Sequence, residues 1–110
     1  MRYRARLLGR GITQLAAFGV VDAESTIEKE LARVCPGARL NIREVRYPSG
    51  PPRIVEEFEI GYSLAVDLAV EAEDEASARK AAFAAARGAL EGTRFARVAW
   101  DQKVVLSAGA

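Results

Sequence analysis

No histidine occurs in the 110 residues of this chain, and cysteine occurs once. Without histidine the chain lacks the commonest general base near neutral pH and the commonest zinc ligand. One cysteine cannot close an internal disulfide, so the default setting is reducing and cytoplasmic. Together these absences leave no recognisable transition-metal site. A phosphate-binding loop is missing too, because Gly9-Arg10-Gly11 has neither the lysine nor the helix start that such a loop uses. No apolar run approaches the roughly 20 residues of a membrane-spanning helix. The opening Met1-Arg2-Tyr3-Arg4-Ala5-Arg6 has no apolar core of a secretion signal. A base-stacking surface is poorly supplied, since Tyr3 and Tyr62 alternate to the core side and no RNP-like Phe/Tyr pattern occurs. The expectation is a chain that is not an enzyme and has no catalytic residues, no cofactor, no metal and no membrane contact.

What is present suits a single α+β domain spanning residues 1–110. Half the residues are hydrophobic and 28% are charged, as in ordinary globular chains. A chain of this size buries roughly two thirds of its unfolded surface. Arginine outnumbers lysine 13 to 3. Net charge is +1, but residues 1–53 hold ten bases against five acids (+5) and residues 54–110 six against ten (−4). Such a division suits either complementary halves of one monomer or head-to-tail contacts between copies.

The clearest pattern runs from Glu57 to Leu90. Phe58, Ile60, Tyr62, Leu64, Val66, Leu68 and Val70 alternate with Glu57, Glu59, Gly61, Ser63, Ala65, Asp67, Ala69 and Glu71, which predicts a strand with one face in a core. Asp74 to Leu90 is alanine-rich and free of proline, which predicts a helix docked on that strand. Its alanines, among them Ala78, Ala81 and Ala85, flank the Phe83, Ala86, Leu90 stripe, leaving little polar girth. A helix apolar over so much of its surface touches two things, its own sheet and a neighbour.

The remainder reads as a shorter copy of the same unit, with an internal repeat of roughly 12–47 and 58–106. Val21-Asp22-Ala23-Glu24-Ser25 aligns with Val70-Glu71-Ala72-Glu73-Asp74, placing Ser25 and Asp74 as helix N-caps. Ser25 and Glu28 fit a capping box. The first helix then buries Ile27, Leu31, Val34 and Cys35 and stops at Pro36-Gly37. Met1–Leu8 and Ile12–Val21 are expected as two strands joined by a hairpin at Gly9-Arg10-Gly11. Further strands are expected over Arg39–Tyr47, Thr93–Ala99 and Val104–Leu106, with Ser107–Ala110 a loose end. Pro48-Ser49-Gly50-Pro51-Pro52 cannot pair in a ladder and forms a hairpin tip. A bend near Gly61 and a projecting arm together absorb the length of the strand that follows. The expected fold is a ferredoxin-like β-α-β-β-α-β sandwich, with two helices on one face of an antiparallel sheet, an extra N-terminal strand and a long proline-tipped hairpin.

Chemistry is sparse. Cys35 reads as a small core residue near a helix C-terminus, where the dipole disfavours a thiolate. Glu71, Glu73, Asp74 and Glu75 complement a helix start. Asp67 stands alone among small residues and is expected to pair with Arg4 or Arg6; a catalytic carboxylate is the distant alternative. The function expected is self-association: a structural or protein-binding module, a subunit of a ring, tube or virion-like complex, whose partners are further copies of itself and another protein. Its contacts would be Pro48, Pro51 and Pro52 on the hairpin, Ala78, Ala81 and Ala85 on the second helix, and Gly61, Ser63 and Ala65 on the sheet. The alternative is nucleic-acid binding through Arg2, Arg4, Arg6, Arg39 and Arg43 on an open sheet face.

Overall fold

Alternation over the first seventeen residues builds one strand, not two. The structure, a computed structural model, describes residues 1–47 and 50–108. In it β1 runs unbroken over Arg2–Ala17, burying every odd-numbered residue except the half-buried Gly11. The expected hairpin at Gly9-Arg10-Gly11, and with it the extra N-terminal strand, is therefore absent. The glycines answer a packing need instead. A Cβ on Gly9 would lie 2.7 Å from a Val98 methyl, and one on Gly11 would collide with the Tyr62 hydroxyl. Both sit where a core side chain covers the strand backbone, a recurring use of glycine within strands.

The partner of β1 is β3, Glu56–Glu71, antiparallel and in register from Arg2 opposite Glu71 to Ala17 opposite Glu56. Sixteen paired residues at about 3.4 Å each make a ribbon of about 54 Å. That ribbon sets the longest of the molecular dimensions, 57 × 22 × 20 Å. β2, Ala38–Arg46, pairs with β3 on its other side. The irregularity expected near Gly61 lies across from it: the β2 register shifts between Ile42 and Glu44, opposite Tyr62 and Gly61, leaving Arg43 bulged. Two short strands close the far edge of β1. β4, Ala99–Trp100, pairs at Gly9 and Arg10, and β5, Val105–Ala108, pairs at Tyr3–Arg6. Sheet order is β2-β3-β1-β4, all antiparallel, compatible with a ferredoxin-like arrangement.

Helix α1 spans Val20–Val34, so the strand expected over Ile12–Val21 gives way to helix at its end. Gly19 is the N-cap, and Ser25 lies within the helix, not at its start. The reason is local. Asp22 in the first turn accepts the Phe18 N–H at 3.0 Å, which ties down the entering chain and removes any need for a cap at Ser25. Ala23, Ile27 and Leu31 face the sheet, with Cys35 buried just beyond.

α2, Glu75–Leu90, is capped as expected: Asp74 accepts the Ser77 N–H at 2.8 Å. Gly92, at φ 74°, takes the chain out of the helix in the left-handed region open to glycine. The strand expected over Thr93–Ala99 is mostly a turn. The Thr93 hydroxyl donates to Leu90 O and accepts the Phe95 N–H, curling the chain before it can extend. Phe95 thereby drops into the core edge-on to Tyr62, ring centroids 5.4 Å apart. Ser107 and Ala108, expected as part of a loose end, belong to β5.

The core lies between the sheet and both helices. Leu15, Phe58, Ile60 and Tyr62 meet α1, and Ala5 and Leu7 meet Ala82 and Ala86 of α2. Among the described residues, the other sheet face has no helix over it.

Candidate binding surface

That uncovered face is built by the same alternation that fills the core. Even-numbered β1 residues and odd-numbered β3 residues point away from the helices. β1 contributes Arg2, Arg4, Arg6, Leu8, Arg10 and Ile12; β3 contributes Gly61, Ser63, Ala65 and Asp67. Pairing register brings Arg39 beside Ala65 and Asn41 beside Ser63. Alternation puts Arg43 on this side as well, where it lines the same hollow as Asn41 and Ser63. The result is a trough of about 680 Å³, floored by Ser63 and Ala65 and walled by Leu8 and Arg10 on one side and Arg39, Asn41 and Arg43 on the other. A second hollow of about 700 Å³ adjoins it between Ile12 and Arg46, with Gly61 in its floor.

Charges on the face divide into paired and unpaired. Arg6 donates to both Asp67 carboxylate oxygens, at 2.8 and 3.3 Å, as expected. That hydrogen bond holds the Asp67 carboxyl below its ordinary range, helped by the fields of Arg6, Arg39 and Arg4 and opposed by partial desolvation. Both side chains are about half exposed, so the pair orients more than it stabilises. Arg46 pairs with Glu44 at 3.3 Å and Glu59 at 3.5 Å. Among the described residues, Arg2, Arg4, Arg10, Arg39 and Arg43 have no ion-pair partner within 4 Å.

Arg10 belongs to this face although its flanking glycines imitate a turn in the sequence. The step of two through Arg2, Arg4 and Arg6, interrupted at Leu8, resumes at Arg10. No family model, curated protein or solved structure matches this chain. The case for a function therefore rests on the residues themselves.

A second surface gathers at the far end of the ribbon. Phe18 (73% exposed), Val21 (81%), Tyr47 (70%) and Ile54 (84%), with Val55, stand where β1 ends, α1 begins and the β2–β3 hairpin turns. Ala17 opposite Glu56 brings the two segments to the same end. Isolated apolar side chains on a surface are ordinary; five at one end of a small domain make that end a candidate contact surface. Neither Phe18 nor Val21 could be read as exposed while both were assigned to a buried strand.

Other expected contact residues are dispersed. Pro51 and Pro52 are exposed in the hairpin loop, and Pro48 lies outside the described residues. On α2 the alanines face different ways: Ala78 is buried against the sheet, Ala81 is half-buried and Ala85 is exposed. Cys35 is buried, and burial pushes its thiol pKa up, away from a reactive thiolate. Among the described residues no three His, Cys, Asp or Glu side chains converge, and no helix is long and apolar enough to cross a membrane.

Proposed function

We propose that this chain is a non-enzymatic self-association module whose copies join through the apolar end of the ribbon to form a homo-oligomer. The observation that carries this reading is the cluster of Phe18, Val21, Tyr47, Ile54 and Val55 at one extremity. Burying such side chains between copies removes apolar surface from water at about 25 cal/mol per Å², and this supplies the drive for association. A ribbon with a sticky end suits a building element of a ring, tube or similar cytoplasmic complex. The element order β-α-β-β-α-β and the sheet order β2-β3-β1-β4 support a ferredoxin-like assignment, with β4 and β5 sharing the place of the last strand.

The test is absolute mass by light scattering on a sizing column. The wild type is expected as a discrete oligomer that survives high salt. Phe18→Ser combined with Ile54→Ser, both at exposed positions, is expected to give a folded monomer. A wild type that runs at 11.9 kDa under all conditions would refute the reading.

A second reading, nucleic-acid binding, is favoured by the unpaired Arg10, Arg39 and Arg43 around one trough. Its supply of stacking partners is thin, with Trp100 the one aromatic residue lining the trough. The ring of Tyr62 packs into the helix-side core, and no aromatic residue is among the β1 and β3 residues facing the open side. Loss of oligonucleotide binding with rising salt is its signature.

A further inference from the structure

The division of charge between the two halves of the sequence becomes in part a division in space: Arg10, Arg39 and Arg43 lie far from the β3–α2 turn, while Arg2 lies opposite Glu71. The arginines of the trough come from β1 and β2 and meet one acid there, Asp101. The acids gather where β3 hands over to α2, in Glu71, Glu73, Asp74 and Glu75. Asp74 is occupied with the Ser77 N–H, whereas Glu73 and Glu75 are exposed and, among the described residues, have no cation within ion-pair distance. The two groups cannot satisfy each other within one molecule. From Ala65 in the trough floor to Glu71 at the strand end is six residues of straight strand, about 20 Å at about 3.3 Å per residue. Between them Arg6 and Asp67 already neutralise one another.

We propose that the trough walled by Arg10, Arg39 and Arg43 receives Glu73 and Glu75 of a second copy of this chain, joining copies head to tail. This rests on the self-association reading and adds to the apolar end a second, electrostatic surface. The chemistry is specific. Planar guanidinium forks match carboxylates two bonds at a time, and the small side chains of Ser63 and Ala65 leave the floor clear for close approach. Asn41 and Ser63 add neutral donors beside the arginines. Because trough and acidic turn are unlike surfaces on each copy, the contact is heterologous and propagates into a ring or a filament. A single-stranded nucleic acid is the competing occupant of the same trough, where Trp100 is the one aromatic residue in the lining.

Light scattering at about 0.1 M and about 1 M salt, where screening lengths are about 10 Å and about 3 Å, tests the proposal. The wild type is expected to be larger at low salt and to fall back at high salt to the species held by the apolar end. Arg39→Glu/Arg43→Glu and Glu73→Lys/Glu75→Lys are each expected to show only that smaller species at both salts. Mixing the two variants is expected to restore the larger one, since each supplies the surface the other has reversed. Circular dichroism and urea midpoints establish that the variants are folded, with Arg39→Gln/Arg43→Gln as the milder replacement.

An oligomer indifferent to salt and to both reversals overturns the trough contact and leaves the apolar-end reading standing. A monomer at both salts removes both. If Arg39→Glu/Arg43→Glu abolishes binding of a fluorescent single-stranded oligonucleotide while Glu73→Lys/Glu75→Lys leaves the mass unchanged, the occupant is a nucleic acid and the proposal is wrong.

Discussion

Arg94 grips Glu30 with two nitrogens, Nε and Nη2, the latter 3.1 Å from Oε1, and so fastens the turn after α2 to α1. Its third nitrogen, Nη1, donates to the Gln14 carbonyl at 2.9 Å. That carbonyl lies on an edge with little protection. β4 and β5 pair with β1 only at Gly9–Arg10 and Tyr3–Arg6, so among the described residues Ile12 to Ala17 has no strand partner on that side. The segment Gly11–Ala17 is also free of charge and proline, the usual guards of an edge strand. A cation placed against it supplies the guard from elsewhere in the chain.

Arg94→Met is accordingly expected to cost about 1–2 kcal/mol, between the values typical of exposed and buried pairs, because both side chains are about three-quarters buried. The urea midpoint reads this loss. Light scattering on heating is expected to rise as well, since the uncapped edge of β1 is freed for pairing. An unchanged midpoint would mean that the pair is ornamental.

The two kinds of glycine are separable by substitution. Gly11→Ala drives a methyl into the Tyr62 hydroxyl and is expected to destabilise by about 1–3 kcal/mol. Gly19 has open space around it and an extended φ of −176°, which any residue adopts. Gly19→Ser should therefore stabilise by about 0.5 kcal/mol, by supplying the side-chain cap that α1 lacks. Thermal unfolding of the pair distinguishes a packing glycine from a replaceable one.

Phe95 reports on the turn that replaces the expected strand. It is fully buried against Tyr62, and Phe95→Ala should cost about 3–5 kcal/mol. If the residue lay on a partly exposed strand the cost would be far smaller, so a single denaturation curve decides.

Stability is expected to be flat near neutral pH, since no histidine titrates there. The acid side is governed by Asp67, held low by its hydrogen bond from Arg6, and Asp74, held low by the Ser77 N–H. A folded pKa below the ordinary 3.8 gives stability that is present above that pH and lost as pH falls through the folded value. Asp67→Asn with Asp74→Asn should flatten the decline of the urea midpoint below about pH 4. On the alkaline side Cys35 and Tyr62 are both raised by burial, so stability is fully present below their ordinary 9.0 and 10.0 and falls as pH rises through them.

Local pattern was enough for the strand at Glu57–Glu71 and the helix after Asp74. In the first the side chains alternate without interruption, and in the second a cap precedes a run of alanine; both are written in neighbouring residues. The same logic paired Asp67 with an arginine of β1. Tertiary structure decided the rest. Whether Gly9-Arg10-Gly11 turns or runs straight depends on Tyr62, Val98 and Trp100, side chains 50 to 90 positions away that need the glycines' empty faces. Where α1 begins depends on which side chain reaches the chain entering it, and Asp22 rather than Ser25 does so. The trough is a product of register: Arg10, Arg39 and Arg43 are scattered in sequence, and only strand pairing sets them around Ser63 and Ala65. Periodicity is a property of neighbours and can be read from them; close packing and strand register join residues far apart in the chain, and no window of sequence contains them.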